Sequence, residues 1–93
     1  MRGYNISFDP EKRRRTLMER GLDFANAGLV FAGEVRTVLD DRRDYGEDRY
    51  ITAGHLHGRL VVMIWTPRGQ ARHIISMRHC HEQEERRWRS RLG

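Results

Sequence analysis

The chain has 93 residues, 38% of them hydrophobic, with 18 Lys and Arg against 13 Asp and Glu and a formal net charge of +5. A domain of this size buries roughly two-thirds of the surface its unfolded chain exposes, enough for one compact core and too little for a second domain or a deep cofactor cavity. The single Cys80 excludes an internal disulfide and any four-cysteine zinc module, and there is neither an apolar run near the ~20 residues that span a bilayer nor a signal peptide, so one soluble cytoplasmic domain over residues 1–93, away from any membrane, is expected.

Charge is unevenly placed. Residues 1–33 carry a net +2, residues 34–58 a net −2 and residues 59–93 a net +5. Of the 18 cations 17 are Arg, Lys12 being the exception. Arg presents a planar fork that matches phosphate with two parallel hydrogen bonds. A GC-rich genome raises Arg usage throughout a chain but does not concentrate it in the last third.

Tyr4 to Phe8 alternates apolar and polar residues and predicts a short strand. Asp9 then suits a helix N-cap and Pro10 the first helical position, with the helix ending at Gly21. Lys12 to Arg15 are four consecutive cations that a helix spreads round its circumference, a solvated face or a nucleic-acid contact, while Leu17 and Met18 supply the apolar side. Asp23 predicts the N-cap of a second helix, in which Phe24, Ala27, Gly28 and Phe31 recur at amphipathic spacing and Gly33 is the stop. Glu34 to Asp40 changes to a period of two, which predicts a strand. Asp40 to Asp48 has no repeating apolar positions and predicts a loop longer than the usual connection, with Tyr45, Glu47 and Arg49 as chemically capable residues at its exit.

Tyr50 to Leu56 and Arg59 to Thr66 flank His57-Gly58, a two-residue link that closes a hairpin when both residues take φ > 0. Leu60 to Trp65 is apolar at every position, the mark of a strand covered on both faces or at a sheet centre. A turn at Pro67-Arg68-Gly69 leads into a strand from Arg72 to Arg78. Strand alternation predicts Arg72, Ile74, Ser76 and Arg78 on one face and His73, Ile75 and Met77 on the other, so the first face combines two guanidiniums and a hydroxyl suited to an anion. After His79 a helix is predicted. Its Glu82/Arg86 and Glu85/Arg89 pairs contribute only ~0.2–0.5 kcal/mol each, and with Trp88 and Leu92 as its only large apolar residues it is expected to be loosely held, leaving Trp88 for a partner or a stacked base. The expected fold is α+β: about four antiparallel strands in a meander, two N-terminal helices and a C-terminal helix.

Particular residues add to this pattern. Phe8-Asp9-Pro10 followed by Lys12, Arg20-Gly21-Leu22-Asp23-Phe24 with Ala27 and Val30-Phe31, Glu47 and Arg49 before Gly54, and Ile74-Ile75-Ser76-Met77-Arg78 followed by Glu85-Arg86 and Trp88 together resemble the BrnT family of ribonuclease toxins from type II toxin–antitoxin systems. The resemblance runs from about Phe8 to Trp88. It implies a RelE-like fold, metal-independent RNA cleavage that arrests growth, and neutralisation by a BrnA-type antitoxin, through which alone the toxin would meet operator DNA. Three positions depart from the family pattern: His73, with Arg72 one step earlier, stands where Arg commonly precedes Ile-Ile-Ser, Trp88 stands where Tyr is common, and Cys80 where Ala is common. Because strand faces alternate, Arg72 and His73 cannot both take the place of that Arg.

Cleaving RNA without a metal requires the 2′-hydroxyl aligned on the adjacent phosphate, a base for its proton, an acid for the leaving oxygen, and cations where negative charge develops. Arg68, Arg72 and Arg78 are the candidate cations, joined by Arg49 at the loop exit, and His73 or Glu47 the proton carriers. Lys12, Ser76 and Trp88 are the candidate RNA contacts. A noncatalytic RNA- or DNA-binding module using the same Arg-rich face is the alternative. A metal site at His79-Cys80-His81 with His55 and His57 fits less well, since a strand places Cys80 opposite the two histidines; no metal or cofactor is expected.

Overall fold

The computed structural model describes residues 5–42 and 44–92. Tyr4, expected to open the first strand, Arg43 of the expected loop and the Leu92 side chain lie outside the described residues. Asp9 joins β1 (Ile6–Phe8) to α1 (Pro10–Arg20): its carboxylate accepts from the Glu11 N–H at 2.9 Å while Pro10 occupies the first turn. Gly21, at φ 69°, closes the helix by donating to the Leu17 carbonyl. No residue of α1 is buried, and Leu17 and Met18 are exposed, so these two do not form the expected apolar attachment. Arginines hold the helix instead. Arg13 makes two hydrogen bonds to the Asp23 carboxylate, at 2.7 and 3.0 Å, and lies over the Phe8 ring, while Arg20 donates to the Met77 carbonyl at 3.0 Å.

The second helix is divided. Asp23 caps a 3-10 turn, Phe24–Asn26, by accepting from the Ala25 N–H, and α2 (Ala27–Ala32) follows after Asn26 at φ −89° and ψ 5°. Phe24, Ala27, Val30 and Phe31 are buried.

Strands β2 (Val35–Leu39), β3 (Tyr50–Leu56), β4 (Arg59–Arg68) and β5 (Ala71–His79) form the expected antiparallel meander, and β1 adds a fifth strand parallel to β5, giving the order β1-β5-β4-β3-β2. The sheet is therefore five-stranded and mixed rather than four-stranded and antiparallel. The short strand itself was expected from its alternation, but its pairing leaves no local signal, because a parallel partner is reached by a long crossover and not by a hairpin. His57 and Gly58 take φ 51° and 82° and close the β3–β4 hairpin. The β4–β5 reversal falls later than expected: Pro67 and Arg68 remain in β4, opposite Arg72 and Ala71, and Gly69 at φ 57° starts the turn.

Both sheet faces are covered. Leu22, Phe24, Val30 and Phe31 pack on one face against Met63, Trp65, Ile74 and Met77. On the other, Trp88 of α3 (Glu82–Leu92) packs with Ala53, Leu60 and Val62. Trp88 is 8% exposed, so the expectation of a loosely held helix offering this ring to a partner or base is corrected: the indole is core. β4, third of five strands, is buried on both sides as its apolar run predicts.

One irregularity decides which residues share a face. Met63 lies opposite Met77 and Ile64 opposite Ser76, but Trp65 lies opposite Ile74, so Ile75 is an extra residue in β5, a bulge that resets the alternation. Ile74 and Met77, three apart, thus enter the same core. Arg72 stays on the α2 side with Ile74, while Ser76 and Arg78 move to the face of His73. The expected common face of Arg72, Ile74, Ser76 and Arg78 does not exist.

Candidate active site

On the face shared with α3, but beside that helix rather than beneath it, the parallel β1–β5 pairing sets Ser7 directly opposite His73. The Ser7 hydroxyl and His73 Nδ1 are 2.9 Å apart. Nε2 makes no hydrogen bond to the described residues and is not buried, which leaves it open to solvent. Partial burial, and after it the Arg68 charge, push the His73 pKa below 6.5, with Lys12 acting the same way and Glu47 and Asp9 opposing. At neutral pH the ring is a neutral imidazole able to take a proton.

The loop between β2 and β3 brings the carboxylate. Its base is closed by the Asp40 N–H donating to the Arg49 carbonyl at 2.8 Å, and buried Asp40 is held by the Arg42 guanidinium. The Thr66 hydroxyl donates to the Asp48 carbonyl at 2.6 Å, tying the loop exit to β4. Glu47 then lies between two arginines, 3.5 Å from Arg49 Nε and 3.8 Å from Arg68 Nη2. Arg49 stacks on the Tyr45 ring at 4.1 Å, and its buried Nε has no hydrogen-bond partner. Arg68 is 54% exposed, so its guanidinium can reach an incoming phosphate. The result is a shelf carrying one imidazole, one carboxylate and two guanidiniums.

The other predicted site residues distribute differently. Ser76 shares the shelf face, and Lys12 acts on His73 by charge from α1. Arg72 is on the opposite layer, its guanidinium 4.3 Å from the Phe31 ring and 5.0 Å from the Trp65 ring. Arg78 does share the face but is gripped by Glu84 of α3 through two 2.7 Å hydrogen bonds; the arginine holds that carboxyl down at about 2. Ser7 was not singled out by the sequence. Its polar position in a short alternating run was visible, its pairing across the sheet was not. A concavity of about 500 Å³ bounded by Leu17, Arg20, Leu22, Leu56, Arg59 and His79 contains none of the shelf residues.

Among the described residues no three His, Cys, Asp or Glu side chains are grouped to hold a metal ion, His79, Cys80 and His81 included. Nor is any described helix long and apolar enough to cross a membrane.

Residues 8–84 match the family described as the ribonuclease toxin BrnT of type II toxin–antitoxin systems. The chain belongs to this family. No curated protein matches it. The match runs from the end of β1 to the first turn of α3, and it contains Glu47, Arg49, Arg68 and His73. BrnT membership makes the expected chemistry that of a ribonuclease, and the type II class implies a protein antitoxin as partner. Of the two neighbouring candidates, His73 is on the shelf and Arg72 among the core aromatics.

Proposed function

We propose that this chain is a metal-independent endoribonuclease toxin whose working surface is the shelf of His73, Glu47, Arg49 and Arg68. The observation that carries the reading is that, in a BrnT-family chain, a partly buried imidazole lies within reach of the Arg68 charge, and Glu47 links Arg68 to Arg49. Arg68 and Arg49 hold the scissile phosphate and offset the charge that builds on its oxygens, which is where oriented cations contribute most. Glu47, between the two guanidiniums, keeps them aimed. His73 Nε2 takes the proton of the 2′-hydroxyl; the 2′-oxygen bonds to phosphorus, the bond to the 5′-oxygen breaks, and the leaving oxygen takes a proton from water. The products are a 2′,3′-cyclic phosphate and a free 5′-hydroxyl. Lys12 and Ser76 flank the path of the RNA backbone.

Growth arrest follows from cleavage of cytoplasmic RNA, and an acidic segment of a BrnA-type antitoxin, encoded beside the toxin, relieves it by covering the basic shelf. Operator DNA is met only through that antitoxin. The test is RNA incubated with the pure chain in excess EDTA, beside His73→Ala. Cleavage to cyclic phosphate ends by the wild type and its loss in the variant support the reading. RNA that is bound but uncut identifies a noncatalytic binding module instead, and activity restored only by a divalent ion refutes metal independence.

A further inference from the structure

We propose that Ser7 is a positioning residue that fixes the tautomer of His73, so that the short parallel strand β1 exists to aim the base. This rests on the reading of His73 as proton carrier. A neutral imidazole has one N–H and one bare nitrogen, and the hydrogen bond made by one nitrogen sets the state of the other. Ser7 Oγ and His73 Nδ1 lie 2.9 Å apart; if Nε2 is the base, Nδ1 carries the proton, and the Ser7 oxygen is the acceptor that keeps it there, leaving the lone pair on Nε2, the nitrogen open to solvent. Without that acceptor the proton is free to move to Nε2, and the outward nitrogen becomes a donor.

The backbone around Ser7 supports this assignment. Arg72 N–H donates to the Asn5 carbonyl at 2.8 Å and the Asn5 side-chain amide to the Gln70 carbonyl at 3.3 Å, so the chain entering β1 is fastened at the start of β5, two residues before Ser7. Ile6 and Phe8, on either side of Ser7, pack against the core of the opposite face. A strand with both apolar neighbours buried cannot slip by one residue without exposing them, so the hydroxyl is held at His73. The charged groups that act on the ring from the surrounding elements are Arg68 of β4, Glu47 of the β2–β3 loop, Lys12 of α1 and Asp9 ahead of it. They set how readily the imidazole takes a proton. Among the described residues Ser7 is the group hydrogen-bonded to Nδ1, and its oxygen is the acceptor that this assignment needs.

The decisive measurement is the nitrogen NMR signature of His73 in the ¹⁵N-labelled full chain above its titration, compared among wild type, Ser7→Ala and Ser7→Thr and set beside RNA cleavage. The wild type should show protonated Nδ1 and bare Nε2. Ser7→Ala should shift the population toward protonated Nε2 and lower kcat roughly tenfold with KM unchanged, less than the ~100-fold or more that a general base contributes. Ser7→Thr, which keeps the hydroxyl, should restore both. A wild-type ring with its proton on Nε2, or a Ser7→Ala ring with the wild-type tautomer, overturns the proposal. The outcomes separate from those of the ribonuclease reading: if His73→Ala cuts RNA as the wild type does, His73 is not the base, while the tautomer shift in Ser7→Ala still stands or falls on its own.

Discussion

The Arg72 guanidinium lies within 4.3 Å of the Phe31 ring centre and 5.0 Å of the Trp65 ring centre, joining α2 to β4 across the core. Phe31 and Trp65 also meet edge to face at 5.5 Å, and the Trp65 indole N–H donates to the Thr52 hydroxyl at 2.8 Å. This arginine is part of the packing between the first helical layer and the sheet. Stacking of a partly desolvated cation on aromatic faces contributes about 1–2 kcal/mol. Arg72→Ala should therefore lower the thermal midpoint by roughly 4–16 °C while leaving kcat for RNA cleavage near the wild-type value. Loss of cleavage by a variant that melts like the wild type would return Arg72 to the site.

Arg78 and Glu84 form the corresponding tie on the other face. Glu84 also accepts from the His81 N–H at 3.3 Å, so one carboxylate both caps the start of α3 and anchors it to β5. Its pKa lies at about 2 against an ordinary 4.5, chiefly because of the Arg78 hydrogen bonds. A carboxyl depressed on folding stabilises the fold fully above its unfolded pKa, and that stability is lost as pH falls through the folded one. The contribution is thus present above about 4.5 and disappears toward about 2. Since Arg78 is 41% exposed, solvent screening reduces the pair to about 1 kcal/mol or less. Urea unfolding of Arg78→Ala should show that loss at pH 7 and little of it near pH 2. A difference that does not shrink with acid would mean the pair is not its source.

Much of this architecture was legible from local pattern. The Asp9-Pro10 helix start, the apolar run Leu60 to Trp65 in β4 and the positive-φ reversal at His57-Gly58 each follow from a few neighbouring residues. What stayed hidden depends on contacts between distant ones. β1 is three residues long and acquires meaning only from its register with β5, and with that register the Ser7–His73 contact was missed. The Ile75 bulge is invisible to a rule of strict alternation, and it alone separates Arg72 from Arg78. Trp88 looked exposed because α3 has so few apolar neighbours, yet the small Ala53 side chain beside Leu60 and Val62 leaves room for one indole. Of the site, His73, Arg68, Glu47 and Arg49 were identifiable as residue types, and the loop ties at Asp40 and Thr66 that bring them together were not.

Gly54 offers a test of the layer that supports the shelf. A Cβ at this position would lie 2.8 Å from both Val30 Cγ1 and Val35 Cγ1, closer than carbon atoms approach. Each valine is fixed, one by α2 and one by β2, so relief requires the helix or the edge strand to move. Gly54→Ala should destabilise the chain by about 1–3 kcal/mol, read from the urea midpoint. An unchanged midpoint would show that α2 is free to shift on the sheet.

The charges around His73 predict how the reaction responds to pH, with opposite signs for two variants. Burial and the Arg68 charge lower the pKa of the ring, and Glu47 raises it. If neutral His73 is the base, kcat/KM rises with pH and levels off once the ring has lost its proton, so the acidic limb of the wild type should lie below pH 6.5. Arg68→Ala removes a cation that disfavours the imidazolium, and the limb should move to higher pH. Glu47→Gln removes an anion that favours it, and the limb should move to lower pH. Both shifts should shrink as ionic strength is raised from 0.01 to 1 M, because the Debye length falls from about 30 to about 3 Å. Both variants weaken the grip on phosphate as well, so the height of the profile will drop in each. The position of the limb carries the test, and an NMR titration of the His73 ring must give the same order of pKa values. Limbs that coincide in all three proteins would show that His73 is not the group whose proton limits the rate.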